Sequence, residues 1–147
     1  MITNIRSHRV NVLMTNMADM MTPIKSYKDL RVWQDSMDLA EAIYKATDRF
    51  PDRERYGLTN QLRRAAVSVA SNIAEGHVRT TGDYIRHLGI ARGSIAEVET
   101  QLLVSKRLGY LSESDAEALL NPCDRVCRML GRLRTKLSIR RSRIPSP

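Results

Sequence analysis

The chain has 147 residues, enough for one domain with a core that needs neither metal nor disulfide. Aromatic residues make up only 5%, and the seven glycines and five prolines are too few for a many-turned β protein, so the composition favours helices. The net charge is +8, and two cysteines four residues apart, Cys123 and Cys127, exclude a disulfide scaffold of the secreted kind.

Residues 1–25 show no sustained period. Met14, Met17, Met20 and Met21 crowd the stretch before Pro23, and it reads as a flexible leader. Arg6 and Arg9 precede a short apolar run, but Asn11 interrupts it and no small-residue cleavage site follows, which argues against a signal peptide. No stretch has the 18 or so apolar residues of a membrane span. The expected location is the cytoplasm, with no membrane partner.

The spacing predicts helix 1 over about 28–49. Ser26 and Asp29 form an S-x-x-D capping box. Leu30, Trp33, Met37, Ala40 and Tyr44 follow at steps of three and four, predicting one core-facing stripe. Phe50-Pro51 stops the helix, because the residue before proline avoids the α region. Helix 2 is expected over about 58–78, with Leu62, Ala65, Val69 and Ile73 inward. Beside that stripe runs a polar seam of Arg64, Ser68, Asn72 and Glu75.

Helix 3 has the most regular pattern. Thr81 is its expected cap. Tyr84, Leu88, Ala91, Ile95, Val98 and Leu102 step 4-3-4-3-4, a seam for shallow helix crossing. Leu108-Gly109 ends it with a glycine stop. Helix 4 opens at Ser112 with Asp115 in a second S-x-x-D box. Leu119, Cys123, Val126, Leu130, Leu133 and Leu137 are its expected core face. Pro122 should kink or restart this helix, with Asn121 as a new cap. The domain is expected over 26–139, and 140–147 reads as a frayed basic tail. Short loops between helices of roughly 30 Å give an antiparallel, up-and-down four-helix bundle, all-α in class.

Charge is segregated. Residues 125–147 carry Arg125, Arg128, Arg132, Arg134, Lys136, Arg140, Arg141 and Arg143 and no acid. On a helical wheel Arg125, Arg128, Arg132, Lys136, Arg140 and Arg143 fall within an arc of about 120°, away from the apolar set. Arginine forks on one exposed face suit phosphates. The plain alternative is a solvated face complementing the helix dipole, but that accounts only for the last turn. The candidate nucleic-acid-binding set is therefore Arg125, Arg128, Arg132, Lys136, Arg140, Arg141 and Arg143. The chain lacks the exposed aromatic pairs that stack bases, so contacts should go to the backbone with little sequence specificity.

The polar seam has two readings. Glu75 could serve as an acid or base with Asn72 as a donor. The simpler reading is a structural hydrogen-bond network in which Ser94, Glu97 and Gln101 of helix 3 partner Arg64, Ser68, Asn72 and Glu75. The second is favoured, and no catalytic residue is assigned. Cys123 and Cys127 read as core residues, because a zinc site needs about four ligands and His8, His77 and His87 lack paired spacing. No cofactor or metal is expected.

Several segments resemble the "four helix bundle protein" family. They are Tyr27-Lys28-Asp29-Leu30 with Val32-Trp33-Gln34, Phe50-Pro51 with Glu54, and Tyr56-Gly57-Leu58. The core of the match is Gln61-Leu62-Arg63-Arg64-Ala65-Ala66-Val67-Ser68, running on through Ser71-Asn72-Ile73-Ala74-Glu75-Gly76. Ile90-Ala91-Arg92-Gly93-Ser94, Glu97-Val98-Glu99, Gln101-Leu102 and Leu108-Gly109-Tyr110 complete it. That family includes proteins encoded in intervening sequences of 23S ribosomal RNA genes and the accessory variability protein of diversity-generating retroelements. The resemblance spans about 26–137. It implies a four-helix protomer, a ring-shaped homo-oligomer (a pentamer), no enzymatic activity, and nucleic acid and a reverse transcriptase as partners. The leader, Pro122 and the arginine-rich tail depart from it. A protein-interaction scaffold without nucleic-acid binding is the competing reading.

Overall fold

The computed structural model describes residues 23–145. The four-methionine leader lies outside the described residues apart from 23–25. Four helices carry the fold: α1, Arg31–Thr47; α2, Leu58–His77; α3, Thr81–Arg107; and α4, Glu113–Ser142. Among the described residues there is no strand.

The first capping box closes a shorter element than expected. Ser26 Oγ accepts from Lys28 N at 3.3 Å and Asp29 Oδ2 accepts from Ser26 N at 3.0 Å, but they enclose only a 3₁₀ turn, Tyr27–Asp29. Leu30 is extended (φ −73°, ψ 123°), so the α-helix starts at Arg31. Glu54 of a second 3₁₀ turn accepts from Leu58 N at 3.0 Å and starts α2. Thr80, one residue before the expected Thr81, caps α3 by accepting from Asp83 N. Gly109 (φ +77°) turns the chain just after α3, a conformation that glycine takes without cost. Ser112 caps α4 by accepting from Asp115 N at 3.1 Å.

Helix α4 does not restart at Pro122. It runs uninterrupted for 30 residues, about 45 Å, with the proline inside it. It also continues to Ser142, three residues past the expected limit of the bundle.

Contacts from end to end fix antiparallel neighbours. Arg63 reaches Asp48 at 2.7 Å where α1 meets α2. Ser68 meets Ser94 at 3.0 Å between α2 and α3, and Lys106 meets Glu113 at 2.6 Å between α3 and α4. Arg125 of α4 lies 3.5 Å from Asp35 of α1, closing the square. Each helix packs on its two chain neighbours, or for α1 and α4 on each other, and the diagonal pairs stay apart. The centre holds Leu39, Ile43, Leu62, Ile73, Leu88, Ile95, Leu102, Val126 and Leu130. At Gly76 the chains approach so closely that a β-carbon would stand 2.8 Å from His87 Cβ and 2.9 Å from Tyr84 Cδ2.

The expected core stripe of α1 is corrected. Val32, Ser36, Leu39, Ala40, Ile43 and Thr47 are buried there, together with Leu30 just before the helix. Trp33 is only half-buried, and Met37 and Tyr44 are 45% and 44% exposed. Two hydroxyls made the true core face look polar. Ser36 donates to Val32 O at 2.6 Å and Thr47 to Ile43 O at 2.8 Å, so neither leaves a polar group unmet inside.

Candidate nucleic-acid interface

Helix α4 is divided by charge along its length. Its first half carries Glu113, Asp115, Glu117 and Asp124; everything charged after Asp124 is a cation. That order complements the helix dipole at both ends. Around the axis, Val126 and Leu130 are buried, Leu133 and Leu137 half-buried, while Arg125, Arg128, Arg132, Lys136, Arg140 and Arg143 are exposed, as the wheel places them.

Two of these cations have carboxylate partners. Arg128 pairs with Asp124 at 2.8 Å, and Arg125 with Asp35 at 3.5 Å. The Arg128 pair is exposed on both sides and contributes about 0–1 kcal/mol, whereas Asp35 is only 10% exposed and also pairs with Arg31, which holds Arg125 more firmly. Arg132, Lys136, Arg140 and Arg143 form no ion pair among the described residues. Arg141, although exposed, leaves the stripe: its guanidinium lies 3.2 Å from where a β-carbon of Gly82 would stand, against the start of α3. Arg134 turns the same way, over Gly89.

Beside the stripe runs a shallow groove of about 600 Å³ between α3 and α4. Arg92 lines it from α3; Cys127, Arg128, Gly131, Arg132, Thr135, Lys136 and Ile139 line it from α4. The wheel of α4 alone could not reveal Arg92, since it belongs to the neighbouring helix.

The polar seam forms two hydrogen-bonded sets. Asn72 Nδ2 donates to Ser68 O at 2.9 Å and lies 3.1 Å from Ser68 Oγ, which in turn meets Ser94 Oγ. Asn72 Oδ1 therefore faces His87 Nδ1, which donates to it across 3.0 Å. Further along, Gln101 Nε2 donates to Glu97 Oε1 at 3.1 Å and to Gln61 Oε1 at 3.5 Å. Arg64 and Glu75 stay at the surface, Glu75 pairing with Arg79 at 2.7 Å. The seam thus cross-ties α2 to α3. His87 and Gln61 were not anticipated in it, yet His87, Ser94 and Gln101 stand seven residues apart on one face, a heptad signal that was there to read.

Three buried atoms near this seam, Tyr84 Oη, His87 Nε2 and Gln101 Oε1, find no hydrogen-bond partner among the described residues. Burial pushes the Tyr84 hydroxyl up to about 12. In the unfolded chain it ionises near 10. The folded value is the higher one, so its contribution is complete below pH 10 and is lost as pH rises toward 12. Tyr84→Phe should flatten that alkaline decline in urea unfolding. At neutral pH it should leave stability unchanged or raise it by about 1 kcal/mol, because an unpartnered hydroxyl is removed.

Cys123 is buried, and burial, with Glu99 and Cys127 nearby, pushes its thiol up to about 12. Cys127 is half-exposed in the α3–α4 groove. Among the described residues no group of three or more His, Cys, Asp and Glu could hold a metal ion, and no helix is long and apolar enough to cross a membrane.

The chain is similar to a known family and to a solved structure. The model of a family described as "23S rRNA-intervening sequence protein" matches residues 28–132. The fold is similar to the crystal structure of a protein of unknown function from the S23 ribosomal protein family of Bacteroides thetaiotaomicron VPI-5482. That similarity is 24% in sequence identity, covers 67% of this chain and 94% of the other, and has a TM-score of 0.61. It speaks for the fold alone. No curated protein matches the chain.

Proposed function

The chain belongs to the 23S rRNA-intervening sequence protein family, and from that premise we propose that it is a non-enzymatic, self-associating helical bundle that holds nucleic acid along the basic face of α4. One observation carries this: six exposed cations lie along one side of a single helix, and four of them form no ion pair among the described residues. Lys136, Arg140 and Arg143 lie beyond residue 132, where the family match ends, so the reading rests on this chain's own residues. Contacts would be to phosphates and so tolerant of sequence. Mobility shift of a duplex at low salt tests it. A shifted complex that heparin displaces is expected, and a duplex that migrates freely at micromolar protein sinks it.

Self-association rests on the second apolar face of α1. Trp33, Met37 and Tyr44, with Val67 of α2 (43% exposed), rim a groove floored by Ala40, Ala70 and Ala74. Asp38, Glu41 and Ser71 also line it, but its larger share is apolar, and exposed apolar surface marks protein contact. A ring of copies would repeat the basic stripe and add weak contacts by avidity. Tyr44→Glu combined with Val67→Glu should reduce the sedimenting species to a monomer with helicity unchanged. The same face supports the second reading, a scaffold for a protein partner such as a reverse transcriptase. In that case the chain would hold no nucleic acid, and the double variant would lose the protein partner.

A further inference from the structure

We infer that the α3–α4 groove seats one phosphodiester strand of a base-paired duplex, with Arg92 on the bank facing Arg128, Arg132 and Lys136. This rests on the nucleic-acid reading above and gives it a place and a ligand class. Cations line both banks, and no carboxylate lines the groove. The groove is open at Gly131, where a β-carbon would meet nothing within 4 Å. From Arg128 to Arg140 the helix advances about 18 Å, the length over which one strand of a duplex presents about five phosphates.

The choice of duplex follows from what lines the groove. Single strands are held largely by stacking of bases on aromatic rings. No ring lines this groove, and the exposed aromatics Tyr44 and Tyr56 lie on α1 and the loop after it. A strand seated here must have its bases occupied elsewhere, by its own complement.

Cys127 reports occupancy, since it lies in the groove while Cys123 is buried. The full chain is treated with a maleimide alone, with a 20-base-pair duplex of RNA or of DNA, and with either single strand. Saturating duplex should slow Cys127 labelling about tenfold or more, and a single strand at the same concentration should protect less. Arg92→Glu should weaken duplex binding about tenfold with circular dichroism unchanged, matching Arg132→Glu. RNA and DNA duplexes protecting alike point to backbone recognition alone; preference for one adds a contact to the sugar, and both support the placement. Duplex binding that leaves Cys127 unprotected, or that Arg92→Glu does not touch, overturns the groove while sparing the basic stripe. Single strands bound as tightly as duplex overturn the ligand class. No binding of any nucleic acid at low salt overturns both readings together.

Discussion

Reversing three charges, Arg128→Glu with Arg132→Glu and Lys136→Glu, should lower affinity for duplex nucleic acid by on the order of a thousandfold at low salt. A charge-assisted contact is worth about 1.5 kcal/mol or more, so three lost contacts exceed 4 kcal/mol. The slope of log affinity against log salt should become shallower by about three. The fold should survive, because all three side chains are exposed and only Arg128 has a carboxylate partner, its own helix neighbour Asp124. Fluorescence anisotropy across a salt series measures both quantities, and circular dichroism checks the helix. An unchanged affinity would move the functional surface elsewhere and favour the scaffold reading.

Pro122→Ala should stabilise the protein by about 2–3 kcal/mol and raise its melting midpoint by about 6–10 °C. Pro122 is the tenth residue of α4, well inside the helix, where it cannot donate to Ala118 O. Ala118 and Asn121 are exposed, so water meets the freed carbonyl and the helix persists. Alanine restores the hydrogen bond. The gain is trimmed by up to about 1 kcal/mol, because proline also restricts the unfolded chain. The half-buried ring takes little packing with it. Differential scanning calorimetry decides the point, and a midpoint that falls would show that the ring is needed against the core. Polyanion binding should not change, since the cationic stripe begins only at Arg125.

The parts of the fold that were legible in the sequence are those where apolar period and burial coincide. Every residue of the α3 seam from Tyr84 to Leu102 is buried, because no polar residue interrupts its period. Helix α1 was harder because it carries two apolar stripes. The one with the larger side chains, Trp33, Met37 and Tyr44, looks more like a core, yet the core took Val32, Leu39 and Ile43. Ser36 and Thr47 disguised that face by having hydroxyls that bond to their own helix backbone. The outward direction of the arginines was readable from the wheel because it depends on α4 alone. Arg92 and the turning of Arg141 toward Gly82 were not, since both depend on where α3 lies beside α4. His87 shows no paired spacing in the sequence for a similar reason. Its partner Asn72 is on another helix, and only the heptad it shares with Ser94 and Gln101 pointed to the seam.

The most direct test of the account is the salt dependence of duplex binding by the unmodified chain. Engagement of four to six stripe cations predicts a linear fall of log affinity against log salt with a slope of about −4 to −5. A slope near zero, or no binding at 50 mM salt or so, would mean that the arginines of α4 only solvate the protein.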